Sequence, residues 1–540
     1  MHINGAMMRL FHSVIWGLRG LPQQLRWSYL PPLMIYLAAG VSGLTAIVGT
    51  FFIKDYLNLS AAFLASLGFW AGLPWALKMP LGHLVDLIWK HKAYLVGLGA
   101  AVIAASLLIM YGLIGHTAFM ASIMPVGAWF VTSVILGPVG YVIQDVVADA
   151  MTVEAVPERD ENGDSIAPDQ LKIMHTTMQT LGRFSIIGGT VLVSLANVIM
   201  FNDVDSLDAA ARIDLYANIY IYALIIPAIS IAGVLLASMQ RSYRNARAQQ
   251  AHHTAPNPHQ RPEINWSILL GSLVFVVFTL SIGTSGVDYA QEIVFAGSVS
   301  IILFLMSRLV RFLEPEKRLM IVGTAIIIFT FRAMPSPGPG LTWFEIDQLL
   351  FNEKFLSILS LIASILTLAG IILLRPFMAN NSIARIVVIL SIAGAALFLP
   401  SIGMYYGLHE WTASHSGGII DAEFIAIINT AVESPLGQVS MIPLLAWIAR
   451  NAPAHMKATF FAVFASFTNL ALSASALGTK YLNEAFVVTR EVKDKLGDVI
   501  VTTANYSELG VLLVTILLTT LVMPIGMVVI IQNSRFKTFD

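Results

Sequence analysis

Fourteen runs of mostly apolar residues, each long enough to cross a bilayer as a helix, dictate what this chain can fold into. They fall at 31–53, 60–85, 93–115, 119–146, 171–200, 214–239, 266–286, 290–311, 318–334, 354–375, 383–406, 419–449, 456–481 and 508–532. A spanning helix needs about 20 such residues. In lipid every backbone N–H and C=O must be satisfied within the spanning structure, which leaves helices or a closed barrel. These runs are too long and too uniform for barrel strands. Composition agrees: 12% of the 540 residues are charged and 57% are hydrophobic, with mean hydropathy +0.76. A soluble domain carries about 25% charged residues, so this chain lacks the polar surface to cover a globule in water. The expected fold class is an all-α polytopic membrane protein.

Lysine and arginine set the expected orientation. With the N-terminus cytoplasmic, the inner segments hold 21 of the 31 Lys and Arg residues and the outer ones 7, while Lys78, Arg183 and Arg332 fall inside helices. Both termini are therefore expected on the cytoplasmic side of the cell (inner) membrane. Residues 1–30 mix Arg9, Arg19 and Arg26 with apolar positions at helical spacing and show no cleavage site, which fits a cytoplasmic tail or a helix lying in the interface. Residues 241–265 are basic and rich in Gln, His and Pro, and read as a cytoplasmic linker. The expected order is a six-helix half at 31–240, the linker, an extra transmembrane hairpin at 266–312 and a second six-helix half at 313–540. A faint repeat supports two halves: Leu77-Lys78-Met79-Pro80 echoes Leu374-Arg375-Pro376. Two-fold repeats with a site near the midplane are a recurring transporter design.

Composition also narrows chemistry. The net charge of −1 gives no reason to expect a nucleic-acid partner, and the absence of Cys rules out disulfides, thiolate metal sites and cysteine nucleophiles. No H-E-x-x-H, G-x-S-x-G or Walker-type phosphate loop occurs. No cofactor, no metal and no obligate protein partner is expected; the partners are the bilayer and a small-molecule substrate.

The most specific motif is Gly82 to Lys92 (GHLVDLIWKHK), in the loop after the second run. It resembles the G-x-x-x-D-x-x-G-R-K/R signature of the major facilitator superfamily, with Trp89 in place of the second glycine. The resemblance implies a conformational latch at Gly82, Asp86, Lys90 and Lys92; the plainer alternative is a short charged loop obeying the positive-inside rule. Four further stretches resemble the folate–biopterin transporter family: Phe51 to Pro80, Gln144 to Glu154 (QDVVADAMTVE), Phe331 to Phe351, and Glu433 to Gly478 through Gln438, Ala458-Thr459, Ser466 and Asn469. That family implies the major facilitator fold and movement of folate- or pterin-type molecules. Lys457 before Ala-Thr, Asn451-Ala452, and the extra hairpin depart from its usual pattern.

The residues themselves sharpen this. Asp145 and Asp149 lie four apart and share a helix face, with Glu154 less directly aligned. Carboxylates inside a bilayer are costly and usually face a cavity or a partner, and like charges one turn apart favour holding a proton. That suits proton coupling, a pterin ring's N–H donors, or, if this end emerges into water, plain solvation. Gln179 and Arg183 share a face of the fifth run; Arg grips a carboxylate bidentately, as a folate tail offers, or pairs structurally with Asp145 or Asp149. Gln438 and Asn469 are candidate substrate ligands. Arg332, before the proline-rich turn Pro335 to Gly340, and Trp343 are gate candidates, with a reentrant loop as the alternative. The expected function is secondary transport of folate- or pterin-type molecules by alternating access, coupled to protons. The alternatives are a major facilitator carrier of another organic anion, a nucleoside or a peptidoglycan fragment, then a membrane-embedded enzyme, or a sensor or scaffold.

Overall fold

The computed structural model describes residues 26–76, 78, 81, 84–85, 88, 91–157, 165–250, 266–285, 287–311, 313–437, 439, 457–493 and 500–538. They form α1 (Trp27–Tyr56), α2 (Ala61–Ala76), α3 (Lys92–Gly115), α4 (Val126–Ala155), α5 (Pro168–Met200) and α6 (Ala209–Tyr243). There follow α7 (Trp266–Thr284), α8 (Ala290–Val310), α9 (Pro315–Arg332), the short α10 (Pro339–Asp347), α11 (Glu353–Leu373) and α12 (Ile383–Tyr405). The last are α13 (Ala422–Glu433), α14 (Lys457–Ala485) and α15 (Leu509–Gln532). Among the described residues nine helices, α1, α3 to α6, α8, α11, α12 and α15, are long and apolar enough to cross a membrane. The fold is the all-helical membrane architecture expected, with one addition: strands β1 (Val492–Lys493) and β2 (Ile500–Thr502) pair antiparallel between α14 and α15.

Local chemistry fixes several helix starts. Pro31 and Pro32 open the α-helical part of α1, where a missing N–H goes unused. Asn352, Ser382 and Asp421 cap α11, α12 and α13, their side chains accepting from Phe355 N (2.8 Å), Arg385 N (3.1 Å) and Phe424 N (2.9 Å). Each such cap contributes about 1 kcal/mol. The fourth run begins later than its apolarity predicts. A separate helix, Thr117–Ile123, precedes Pro125, and α4 then continues without a break to Ala155, so Asp145, Asp149 and Glu154 ride on one rigid element.

Two compact units emerge. The first comprises Met1–Thr45, Pro80–Ala196 and Ile213–Leu269; the second Ala46–Met79, Asn197–Arg212 and Leu270–Asp540. In the first, α3 and α4 cross closely because both contribute glycine. A Cβ on Gly99 would stand 2.8 Å from the carbonyl of Gly140, and one on Gly140 2.7 Å from that of Gly99. Ser106 and Ser133 seal the same crossing, each hydroxyl donating to the other's carbonyl at 2.9 Å. Without a hydrophobic force between helices in lipid, such close packing and interhelical hydrogen bonds carry the association.

In the second unit the hairpin α7–α8 is built into the core. Phe69 and Leu73 of α2, Phe275 of α7, Val294 of α8 and Leu477 of α14 bury one another, and Ile302 and Met306 of α8 pack with Ile321 of α9 and Phe464 of α14. Polar ties repeat the pattern at one end of the hairpin. Gln291 Nε2 donates to Ser66 O (2.9 Å) and Ser66 Oγ (2.6 Å) of α2, while Glu292 takes Lys480 Nζ at 3.1 Å and the Tyr481 hydroxyl, both of α14.

Candidate functional site

Most of the polar residues singled out in the first unit gather on α4 and the helices against it. Tyr36 of α1 is buried, and its hydroxyl donates to Asp149 Oδ1 at 2.6 Å. Asp145, Asp149 and Arg183 all lie within electrostatic reach of that phenol, so α1, α4 and α5 converge on one cluster. Its placement follows from small residues. The ring of Tyr36 lies against Gly182, where a Cβ would come within 2.9 Å of Cε2, and Ser185 Oγ donates to Leu33 O at 2.8 Å one turn away. Thr152 Oγ1 donates to Asp149 O at 2.6 Å on the same helix. A phenol donating to a carboxylate makes a short, charge-assisted bond. The arrangement brings two acidic groups, one arginine and one tyrosine together inside helices otherwise apolar enough to span a membrane.

Glu154 sits elsewhere on α4. It forms an ion pair with Lys92 at the start of α3, in which the Lys92 side chain is 10% exposed and that of Glu154 29%. A residue expected at the substrate and a residue expected in the latch are thus joined to each other. Gln144, beside Asp145, is engaged structurally: its Nε2 donates to Val96 O at 3.2 Å, and its Oε1 accepts from Ser230 Oγ at 2.9 Å. Gly82, Asp86, Lys90 and Gln438 lie outside the described residues, and Gln179 is described in its backbone alone.

The second unit holds the other candidates. Asn469 Nδ2 donates to Trp75 O at 3.2 Å, tying α14 to the end of α2. Arg332 Nε donates to Thr468 O at 3.3 Å. Trp343 is 2% exposed and lies beneath the guanidinium of Arg490, 4.1 Å from its ring centroid. Around it is a network at the distal end of the unit, where α1 stops; the sequence pointed to Lys54-Asp55 and to Glu345 and Asp347 beside the gate candidates, but not to Tyr506 or Arg490. Lys54 Nζ meets Asp347 Oδ1 at 2.5 Å and Asp55 Oδ1 at 3.1 Å, and Tyr506 donates to Asp347 Oδ2 at 2.5 Å. Burial, then that bond to Asp347, holds the Tyr506 phenol well above its ordinary value. Burial draws the Arg490 guanidinium down to about 10 and pushes the Glu345 carboxyl up to about 7. Nearby, Asn352 Nδ2 donates to Asp205 Oδ2 at 2.8 Å, and Arg212 Nη1 lies 3.9 Å from Glu353 Oε1.

Two signals were available for these residues. Lys54-Asp55 stood in a stretch that resembled the transporter family, and Asp347 followed an aromatic run. Tyr36 and Arg490 carried none, since their partners are distant in sequence and Arg490 binds backbone.

Known proteins place the chain. The chain is similar to the folate-biopterin transporter of Synechocystis sp., 21% identical over 453 residues that cover 82% of this chain and 72% of that protein. The fold resembles a solved POT family transporter in complex with a thioalcohol-conjugated peptide (TM-score 0.58, 13% identity, 96% of this chain and 97% of that one). It also resembles the nucleoside transporter NupG (TM-score 0.52, 14% identity, 93% and 99%). These likenesses show a fold of the major facilitator type. The model of the BT1 family matches residues 218–538. With that match over more than half its length, on a multi-span helical scaffold, this chain belongs to the BT1 family of membrane transporters.

Proposed function

We propose that the chain moves folate- or pterin-type molecules across the cell (inner) membrane by alternating access, coupled to protons, with both termini cytoplasmic and the distal end outside. The observation that carries this reading is the Tyr36–Asp149 bond, with Asp145 and Arg183 beside it, inside the span-length helices α1, α4 and α5. Ionisable groups at such depth are expensive and mark ion or substrate paths. Asp145 and Asp149 take the proton or the ring N–H donors of a pterin, and Arg183 grips a substrate carboxylate. Gln179, Gln438 and Asn469 supply further hydrogen bonds. Gly82, Asp86, Lys90 and Lys92 form the latch, which Glu154 joins through its pair with Lys92. Arg332 and Trp343 belong to the outer gate. The similarity to a folate-biopterin transporter supports the substrate class.

Uptake of radiolabelled folate into proteoliposomes, with and without a pH gradient, tests the reading. Uptake that rises with an inward proton gradient is expected, with competition by pterins. Full competition by a nucleoside or a peptidoglycan fragment, and none by pterins, would reassign the cargo.

A further inference from the structure

We propose that Arg490, on the connection between α14 and α15, is a latch that holds the distal end of α1 shut and must release for that end to open. The proposal rests on the reading of the chain as an alternating-access carrier. Helix α1 is built to bend. Its α-helical part Leu30–Val41 gives way to a 3-10 turn at Ser42–Thr45, and α-helix resumes at Ala46–Tyr56. A 3-10 stretch inside a longer helix often marks a hinge, and the boundary between the two compact units falls at its end, Thr45. The segment beyond the hinge is the one Arg490 holds.

The grip uses all three guanidinium nitrogens. Nε donates to Lys54 O (2.6 Å), Nη1 to Leu59 O (2.9 Å), and Nη2 to Ile53 O (2.6 Å) and to Leu57 O. The final carbonyls of a helix lack intrahelical partners, and a cation there also meets the negative end of the helix dipole. Arg490 therefore caps α1 from 430 or more residues away. Its other face is stacked on Trp343, and it is 3% exposed. Flanking contacts fasten the same connection: Tyr506 to Asp347, which also holds Lys54, and Thr502 Oγ1 to Asn58 Oδ1 at 3.3 Å. The β1–β2 pairing and the bridge Thr489–Asn505 keep these residues in register. Moving the end of α1 away from the connection requires breaking the cap, the Lys54–Asp347 pair and the Thr502–Asn58 bond together, while the stack on Trp343 holds Arg490 in place.

The chain has no cysteine, so engineered thiols report cleanly. In the double variant Asn58→Cys/Thr502→Cys, a short bis-methanethiosulfonate crosslinker joins the connection to the residues just beyond α1. Folate uptake is expected to fall to the level of empty liposomes and to return on reduction, with either single-cysteine variant unaffected. A crosslinked protein that transports at the full rate would overturn the latch. A second arm needs no substrate. Val48 lies just past the hinge and is fully buried; in Val48→Cys, labelling by a membrane-impermeant maleimide added outside should rise several-fold when Arg490→Gln is added. Unchanged labelling would overturn the latch even if the cargo proves not to be folate, whereas absence of folate uptake by the unmodified protein, with labelling still increased by Arg490→Gln, would overturn only the substrate assignment.

Discussion

Two groups in this molecule use the same parts for different ends. In each, a tyrosine hydroxyl donates to an aspartate, at 2.6 Å from Tyr36 to Asp149 and at 2.5 Å from Tyr506 to Asp347, and an arginine stands close by. The first group lies within span-length helices, where no loop intervenes. The second is assembled from connections, and all three nitrogens of its arginine donate to backbone carbonyls while its face is stacked on Trp343. An arginine whose N–H groups already cap a helix is unavailable to a solute. What the comparison teaches is that residue type alone does not assign a role: the same tyrosine, aspartate and arginine occur inside span-length helices in one group and among connections in the other.

The contrast yields four tests. The largest effect should come from Asp347→Ala. It removes the partner of Lys54 and Tyr506, whose pair with Lys54 is mostly buried (side chains 16% and 11% exposed), and breaking such a pair costs about 3 kcal/mol. Thermal unfolding in detergent should show a clear drop in Tm; an unchanged Tm would mean that the distal network is not a clasp. Next, Asp149→Asn should leave Tm nearly unchanged and cut uptake, since a hydrogen bond to a charged group is worth about 1.5–3 kcal/mol, on the order of ten- to hundredfold. Initial rates that keep their full value and their response to a pH gradient would refute the coupling role proposed for it. A smaller change is expected of Tyr36→Phe, which keeps the carboxylate and removes one donor to it. The loss is about 1.5 kcal/mol, at the low end for such a bond, read as a loss of uptake of about tenfold or less with folding intact.

The smallest effect concerns Glu345. Burial raises its carboxyl to about 7 from the ordinary 4.5, so between those values the folded chain binds more protons than the unfolded one, and stability should fall as pH rises through that window. Glu345→Gln should flatten that fall and raise Tm at neutral pH. An unaltered pH profile would show that the carboxyl is hydrated in the folded protein.

Legibility in the sequence followed the range of the interaction. Helices such as α3 and α12 announce themselves because an apolar run long enough for a bilayer has few other solutions. The acidic pair on α4 was legible because a spacing of four maps directly onto a helix face. Tyr36 was not: a tyrosine among Pro31, Leu33, Ile35 and Leu37 reads as an interfacial aromatic, and its partner is 113 residues away. Arg490 was counted only as an outer-loop charge, because it binds main-chain carbonyls that no side-chain pattern advertises. The hairpin α7–α8 was visible as two runs, yet its attachment through Gln291 and Glu292 depends on Ser66 and Lys480 on separate helices.

The seam between α3 and α4 has a mechanical corollary. Lys92 to Glu154, Val96 to Gln144, Gly99 to Gly140 and Ser106 to Ser133 fasten the two helices at successive depths, like rungs. A pair riveted along so much of its length tilts as a single lever. A displacement of the α4 segment that carries Asp145 and Asp149 would then be shared by the start of α3, where Lys92 meets Glu154.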